Sequence, residues 1–407
     1  MKYLRSILVF IFFVVSGFAK AQSCSEDSLI IFSIKAIDTD ANIQNEFAKH
    51  FTYYNPDCTD NGILLVHLPG TSSSPMNYQL FPSLAANNGF HVLSLKYINS
   101  TSGQSACALS SDIDCHLKFR QEIIEGVDYS PEISVDSVNS IYNRLIRLLQ
   151  YMDTNFPAQN WGQFFTGDSI HWSKVMISGH SQGGGHAAII GINKPLKRVL
   201  MFASPNDYSN TYSQYAPWTS MPHLTEDSVY YSLNNLNDDF ANFDWQYHCA
   251  LNLGEAPFGD STLVDGVNCP YNYAHNLYTN IDSSASIVNH SLMIYDNLVP
   301  LDGQNKPVFQ ETWEYMLGIT CQPLDLDQTK TPTDLLIYPN PTPGKIHIKT
   351  QLPISEIAFF DLLGKNVSEQ VIQRSAAEFD LSNLAPGTYI LVISNQDVLK
   401  TLQIAVE

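Results

Sequence analysis

Charged side chains are scarce in this 407-residue chain: Asp, Glu, Lys and Arg make up only 15% of it. Disordered and coiled-coil proteins need far more charge and less aromatic mass, so both classes are excluded. Basic residues are scarcest, with 21 Lys and Arg against 40 Asp and Glu and a formal net charge of -19. Such a surface does not attract phosphate backbones or anionic headgroups, and no nucleic-acid partner is expected. The apolar run from Ile7 to Val15 is shorter than the roughly 20 residues a membrane span requires. Neither a CxxC pair nor a His/Cys spacing suited to zinc occurs, so no metal site is expected.

What the chain does have is 44% hydrophobic and 12% aromatic residues. Single cores stop growing near roughly 250 to 300 residues, so this length predicts two domains. Lys2 and Arg5 precede the Ile7 to Val15 run, and Ala19-Lys20-Ala21 offers the small-x-small pattern cut by signal peptidase. Residues 1–21 therefore read as a cleaved secretion signal, leaving no transmembrane segment in the mature protein. Cys24 is not read as a lipidation site, because Ala21-Gln22-Ser23 lacks the aliphatic residue that lipidation prefers. Export permits disulfides, and the seven cysteines leave at least one without an internal partner. The local pairs Cys107 with Cys115 and Cys249 with Cys269 are the expected bridges.

Residues 322–334 lose apolar periodicity and gain Pro, Thr and Asp, which reads as a linker. Beyond it, short strands are expected at Leu335 to Tyr338, Lys345 to Thr350, Ile357 to Phe360, Tyr389 to Ser394 and Leu399 to Val406. Turn signals such as Pro339-Asn340-Pro341 and Pro386-Gly387 separate them, so residues 335–407 read as a small all-β, immunoglobulin-like sandwich. Tyr338-Pro339-Asn340-Pro341-Thr342, then Asp361-Leu362-Leu363-Gly364-Lys365, then Asp380-Leu381-Ser382 with Pro386-Gly387-Thr388-Tyr389 and Lys400-Thr401 resemble the type A C-terminal sorting domain of the bacterial type IX secretion system. The resemblance implies that this tail is read by the type IX machinery and removed on export through the periplasm and across the outer membrane. The cargo would be released or held on the cell surface.

Residues 22–321 alternate in character. Ile63 to His67, Val92 to Tyr97 and Val175 to Ser178 read as buried strands. Tyr78 to Asn87 and Val135 to Met152 read as helices, the second with Val138, Ile141, Leu145, Leu148 and Leu149 at helical spacing. Strands alternating with helices predict an α/β fold, a doubly wound, mostly parallel sheet with ligands at the carboxyl ends of its strands. The strand Val175 to Ser178 runs into Gly179-His180-Ser181-Gln182-Gly183-Gly184-Gly185 and then a helix-like segment. That is G-x-S-x-G in its meaningful context, a turn so tight that Cβ atoms near the serine would clash.

With that motif, residues 22–321 resemble the α/β-hydrolase fold. The resemblance implies a Ser-His-Asp triad in the chain order nucleophile, acid, base. Ser181 takes the nucleophile's position. Asp238, after the Val229 to Leu233 strand, is the expected acid, with Asp239 and Asp207 as alternatives. Among His248, His275 and His290, the last lies in the loop Val288 to Ser291, where the fold delivers its base. His67, His180 and His186 read as packing or site-lining residues. Oxyanion donors are expected at the backbone N–H of Gln182 and in the loop His67-Leu68-Pro69-Gly70-Thr71-Ser72, with Thr71 foremost. No cofactor is implied.

The expected function is a secreted serine esterase acting on a small or polymeric carboxylic ester. The motif leaves open a peptidase on the same residues, and a surface-binding protein that keeps the fold without catalysis. An insertion at Asn99 to Tyr129 and the aromatic stretch Tyr208 to Trp218 are expected to roof the pocket.

Overall fold

A computed structural model describes residues 24–43, 48–319, 336–360, 366–394 and 399–406. The signal at 1–21, the linker at 322–334 and Asp361 to Lys365 lie outside them. The chain divides into two compact units, Met1–Gln322 and Pro323–Glu407.

Among the described residues, nine strands form the main sheet of the first unit: β1 Ile30–Lys35, β2 Lys49–Tyr54, β3 Leu64–Leu68, β4 His91–Ser94, β5 Val175–His180, β6 Arg198–Phe202, β7 Tyr230–Asn235, β8 Thr262–Leu263 and β9 Asn276–Thr279. Their spatial order is β1-β2-β4-β3-β5-β6-β7-β9-β8. The first two strands run antiparallel; every pair from β4 onward is parallel. Parallel strands are covered on both faces and read as unbroken apolar runs. Within β3, Leu64, Val66 and Leu68 join one core with Ala187, Ala188 and Ile189. Leu65 points the other way into a second core with Phe81, Leu200 and Trp313. Each buried Leu, Ile, Val or Phe side chain among them contributes about 1.5 to 3 kcal/mol. Because the pairing is parallel, the carboxyl ends of β3, β5, β6, β7 and β9 open at one edge.

Helices in this unit include α1 Leu80–Ala86, α2 Gly103–Cys107, α3 Cys115–Glu125, α4 Ile141–Asn155, α5 Gln182–Asn193, α6 Phe243–Ala250 and α7 Ser286–Ser291. The helix expected from Val135 begins later. Ser140 caps it, its Oγ accepting from Asn143 N at 3.1 Å, while Ser137–Asn139 forms a separate 3-10 turn. Apolar spacing ran on through a polar cap, and the cap decides the start. From Ile141 the buried side chains Leu145, Leu148, Leu149 and Met152 make one stripe against the first core.

Cys107 and Cys115 form a disulfide. The expected partnership of Cys249 with Cys269 does not exist: Cys249 is a buried free thiol, and Cys269 is bonded elsewhere. Helix α6 turns Cys249 inward, to 3.8 Å from the Asp207 carbonyl, so nearness in sequence was a poor guide. Cys24 and Cys58, 34 residues apart, are joined instead.

The second unit pairs β10 Leu336–Tyr338, β11 Lys345–Phe360, β12 Asn366–Asp380, β13 Gly387–Ser394 and β14 Leu399–Val406 in one five-stranded antiparallel sheet. The two strands expected at Lys345 to Thr350 and Ile357 to Phe360 are halves of β11, whose register shifts between Lys349 and Ile354. Strand β12 was missed because its sequence, NVSEQVIQRSAAEFD, carries little apolar alternation. Ile346, Phe359, Phe379, Leu391 and Ile404 form the core of this unit.

Candidate functional site

Strand β5 delivers Ser181 on a turn that only small residues can make. A Cβ on Gly179 would lie 2.2 Å from the Gly183 carbonyl carbon, and one on Gly183 would lie 2.0 Å from the Leu68 oxygen. Ser181 itself is held at φ 53°, ψ -121°, a conformation a non-glycine residue adopts only when its surroundings enforce it. Its N–H is anchored to Phe202 O at 2.8 Å, and its carbonyl accepts from Gly184 N at 3.0 Å.

Past β7 the chain turns on Asn235 and presents Asp238, which is 1% exposed. Oδ1 accepts from the backbone N–H groups of Phe240 and Ala241, both at 3.0 Å. Oδ2 accepts from Gln246 Nε2 at 2.6 Å and from His290 Nδ1 at 2.7 Å. Burial pushes this carboxyl upward, yet the donors from His290, Ala241 and Gln246 outweigh it and hold it below the usual carboxylate range. His290 stands on helix α7 rather than in the expected loop. Asn289 fixes that helix to the acid turn, donating to Asn237 O and Asp282 Oδ1 at 3.0 Å each. Asn235 Nδ2 donates in return to Asn289 O at 3.1 Å.

The two alternative acids stand apart from the histidine. Asp239 faces solvent. Asp207 is fully buried and holds Arg120 on α3, at 2.7 Å from Nε and 2.5 Å from Nη2, and accepts from Trp218 Nε1 at 2.9 Å. Burial pushes Asp207 up, but the Arg120 guanidinium dominates and brings it down to about 2. Arg120 Nη1 also donates to Gln182 O at 2.8 Å, bracing the start of α5. Of the other histidines, His275 is stacked between Tyr231 and Phe258. His248 lies on α6 beside Tyr215.

Ser181, His290, Thr71 and Gln182 line one cavity of about 450 Å³. Among the described residues His290 Nε2 is buried without a hydrogen-bond partner, so it is not bonded to Ser181 Oγ here. The backbone N–H groups of Thr71 and Gln182 are unbonded among the described residues. The Gln182 side chain ties the two walls, its Oε1 accepting from Thr71 Oγ1 at 3.1 Å and Gly103 N at 3.0 Å. The disulfide-closed insertion contributes Ser102, Gln104, Ser105 and Arg120 to the lining. No residue of 208–218 lines it: Trp218 is buried on Asp207 and Tyr208 stacks on Trp245.

A buried strut not expected from the sequence crosses behind the serine. Gly70 N–H donates to Tyr78 Oη at 3.3 Å, Tyr78 Oη meets His180 Nδ1 at 2.9 Å, and His180 Nε2 meets the His290 carbonyl at 3.0 Å. A carbonyl only accepts, so Nε2 carries the proton and the Tyr78 hydroxyl donates to Nδ1. Burial drops His180 to about 3 and keeps it neutral. Tyr78→Phe leaves two buried groups unpaired and should cost about 1 to 3 kcal/mol in urea unfolding; an unchanged midpoint would show that the strut bears no load.

Glycine spacing made Ser181 visible. Nothing local marked Tyr78, Arg120, Asn235 or Asn289, because each reaches a partner more than 50 positions away, and Gln246, eight residues past Asp238, belongs to no motif.

Residues 336–407 match the family described as the secretion system C-terminal sorting domain. No curated protein matches the chain. Among solved structures, a DUF3244 family protein from Bacteroides vulgatus with an immunoglobulin-like β-sandwich fold is similar at 19% identity, over 18% of this chain and 97% of its own, with a TM-score of 0.16. Removing residues 336–407 should keep the protein inside the cell envelope, as fractionation would reveal; normal release would contradict an addressing role. The chain carries a sorting tail that engages the type IX secretion machinery and is exported by that route to the cell surface or beyond.

Proposed function

We propose that residues 22–321 form a serine hydrolase of the α/β-hydrolase type that cleaves carboxylic esters, made with a removable signal at 1–21. One observation carries the reading. A strained Ser181, His290 and two backbone N–H groups unbonded among the described residues line one cavity at the carboxyl edge of a parallel sheet, and buried Asp238 holds His290 from behind at 2.7 Å. The placement of serine after β5, acid after β7 and histidine after β9, in the order the fold requires, supports it further.

In this mechanism His290 Nε2 takes the Ser181 proton as Oγ attacks the ester carbonyl. Asp238 accepts from Nδ1, keeping Nε2 free of a proton before the attack and stabilising the imidazolium after it. The N–H groups of Thr71 and Gln182 bind the oxyanion. His290 then protonates the leaving alkoxide, and water, deprotonated by the same nitrogen, releases the acid.

A fluorophosphonate tests the reading directly, because Ser181 Oγ displaces fluoride to form a stable phosphonyl ester only when a base activates it. The folded parent should label with one group per chain, while Ser181→Ala and His290→Ala should not label. A folded parent that stays unlabelled would favour the surface-binding alternative. A matched ester and amide then separate esterase from peptidase.

A further inference from the structure

We propose that the Ser181 cavity receives a neutral ester in which a hydroxyl-bearing ring, as in an acylated sugar, adjoins a compact apolar group. The inference rests on the serine-hydrolase reading and adds the class of substrate. Charge comes first. Of the Lys, Arg, Asp and Glu residues described, Arg120 alone lines the cavity. Three of its five N–H groups are committed to Asp207 and Gln182 O, and the side chain is buried. Its charge is already countered by the buried Asp207, so no unpaired Lys or Arg among the described residues faces the cavity, and the negative charge of the chain disfavours an anionic ligand further.

Among the remaining polar groups, three neutral ones are uncommitted. Among the described residues, the hydroxyls of Ser72 and Ser105 and the carboxamide of Asn206 line the cavity and make no hydrogen bond. Each can both donate and accept, which suits sugar hydroxyls, themselves donors and acceptors at once. They come from three separate segments, the loop after β3, helix α2 and the loop after β6.

The lining also has an apolar part. Phe240 is 61% exposed and Ile287 52% exposed; both line the cavity, and the Phe240 ring lies 5.1 Å from that of His290. These two offer a face for an aryl group, a short acyl group or the C–H face of a sugar. A volume of about 450 Å³ lies in the lower half of the usual small-ligand range, which suits one or two rings better than a long acyl chain.

The full chain should be assayed on four esters: an O-benzoyl methyl glycoside, butyl benzoate, a long-chain palmitoyl ester and an O-hemisuccinyl methyl glycoside. The benzoyl glycoside should exceed each of the others in kcat/KM by about tenfold or more, as two hydrogen bonds to neutral partners allow. Asn206→Leu and Ser105→Ala should each lower the ratio of benzoyl glycoside to butyl benzoate by about fivefold. Equal turnover of butyl benzoate, a preference for the palmitoyl or hemisuccinyl ester, or a ratio unmoved by both variants would overturn the substrate class. Fluorophosphonate titration of the same preparation separates the two readings: labelling without the preference overturns only the substrate class, whereas a folded chain that does not label overturns both.

Discussion

Ser181→Ala should lower kcat on a soluble ester by about six orders of magnitude, and Asp238→Asn by about four. The first substitution removes the attacking oxygen and leaves only the Thr71 and Gln182 N–H groups and the binding surface. The second changes no volume but reverses the proton logic. Asp238 Oδ2 now accepts from both Gln246 Nε2 and His290 Nδ1. An asparagine cannot present two full acceptor oxygens, and its NH2 group placed at Oδ2 would force His290 to carry its proton on Nε2. That nitrogen must be bare to accept from Ser181. Steady-state kinetics on both variants, with thermal melts to establish folding, checks the expectation. An Asp238→Asn variant within tenfold of the parent would remove Asp238 from the proposed role.

Arg120→Met should destabilise the first unit by about 3 to 5 kcal/mol, because it leaves the Asp207 carboxylate buried with no countercharge. The companion variant Arg120→Met with Asp207→Leu should regain most of that loss, since removing both charges removes the desolvation cost. All five tryptophans precede residue 335, so tryptophan fluorescence in a urea titration reads the first unit alone. If the double variant is no more stable than the single, the Arg120 side chain matters through packing and its bond to Gln182 O rather than through charge. The pH dependence has a definite sign. Asp207 is held at about 2 against an ordinary 3.8, so the pair's stabilisation is fully present above about pH 4 and declines as pH falls toward 2. The parent should therefore lose stability across that window more steeply than the double variant.

Much of the local chemistry is legible in the order of the residues. The glycines of Gly179-His180-Ser181-Gln182-Gly183 identify a turn that excludes Cβ atoms, and a tight turn is a property of neighbouring residues. Apolar runs mark the parallel strands for the same reason, since each is buried on both faces along its own length. The tail's Tyr338-Pro339-Asn340-Pro341-Thr342 and Pro386-Gly387-Thr388-Tyr389 carry an address in short segments of fixed order. Other features are hidden at that level. Asp207, Asp238 and Asp239 all follow strands in plausible loops. Only the convergence of β7 and β9 at one edge of the sheet brings Asp238 to His290, while an arginine on a distant insertion claims Asp207. The Cys24–Cys58 bridge, the inward turn of Cys249 and the Tyr78–His180 strut are equally out of reach. Each depends on contacts between segments far apart in the chain, and spacing along a sequence does not encode which distant surfaces meet. Residue order alone thus marked the tight turn at Ser181, the sheet's apolar strands and the export address. The pairing of Asp238 with His290, the cysteine pairing and the character of the cavity wall were decided by long-range packing in the folded chain.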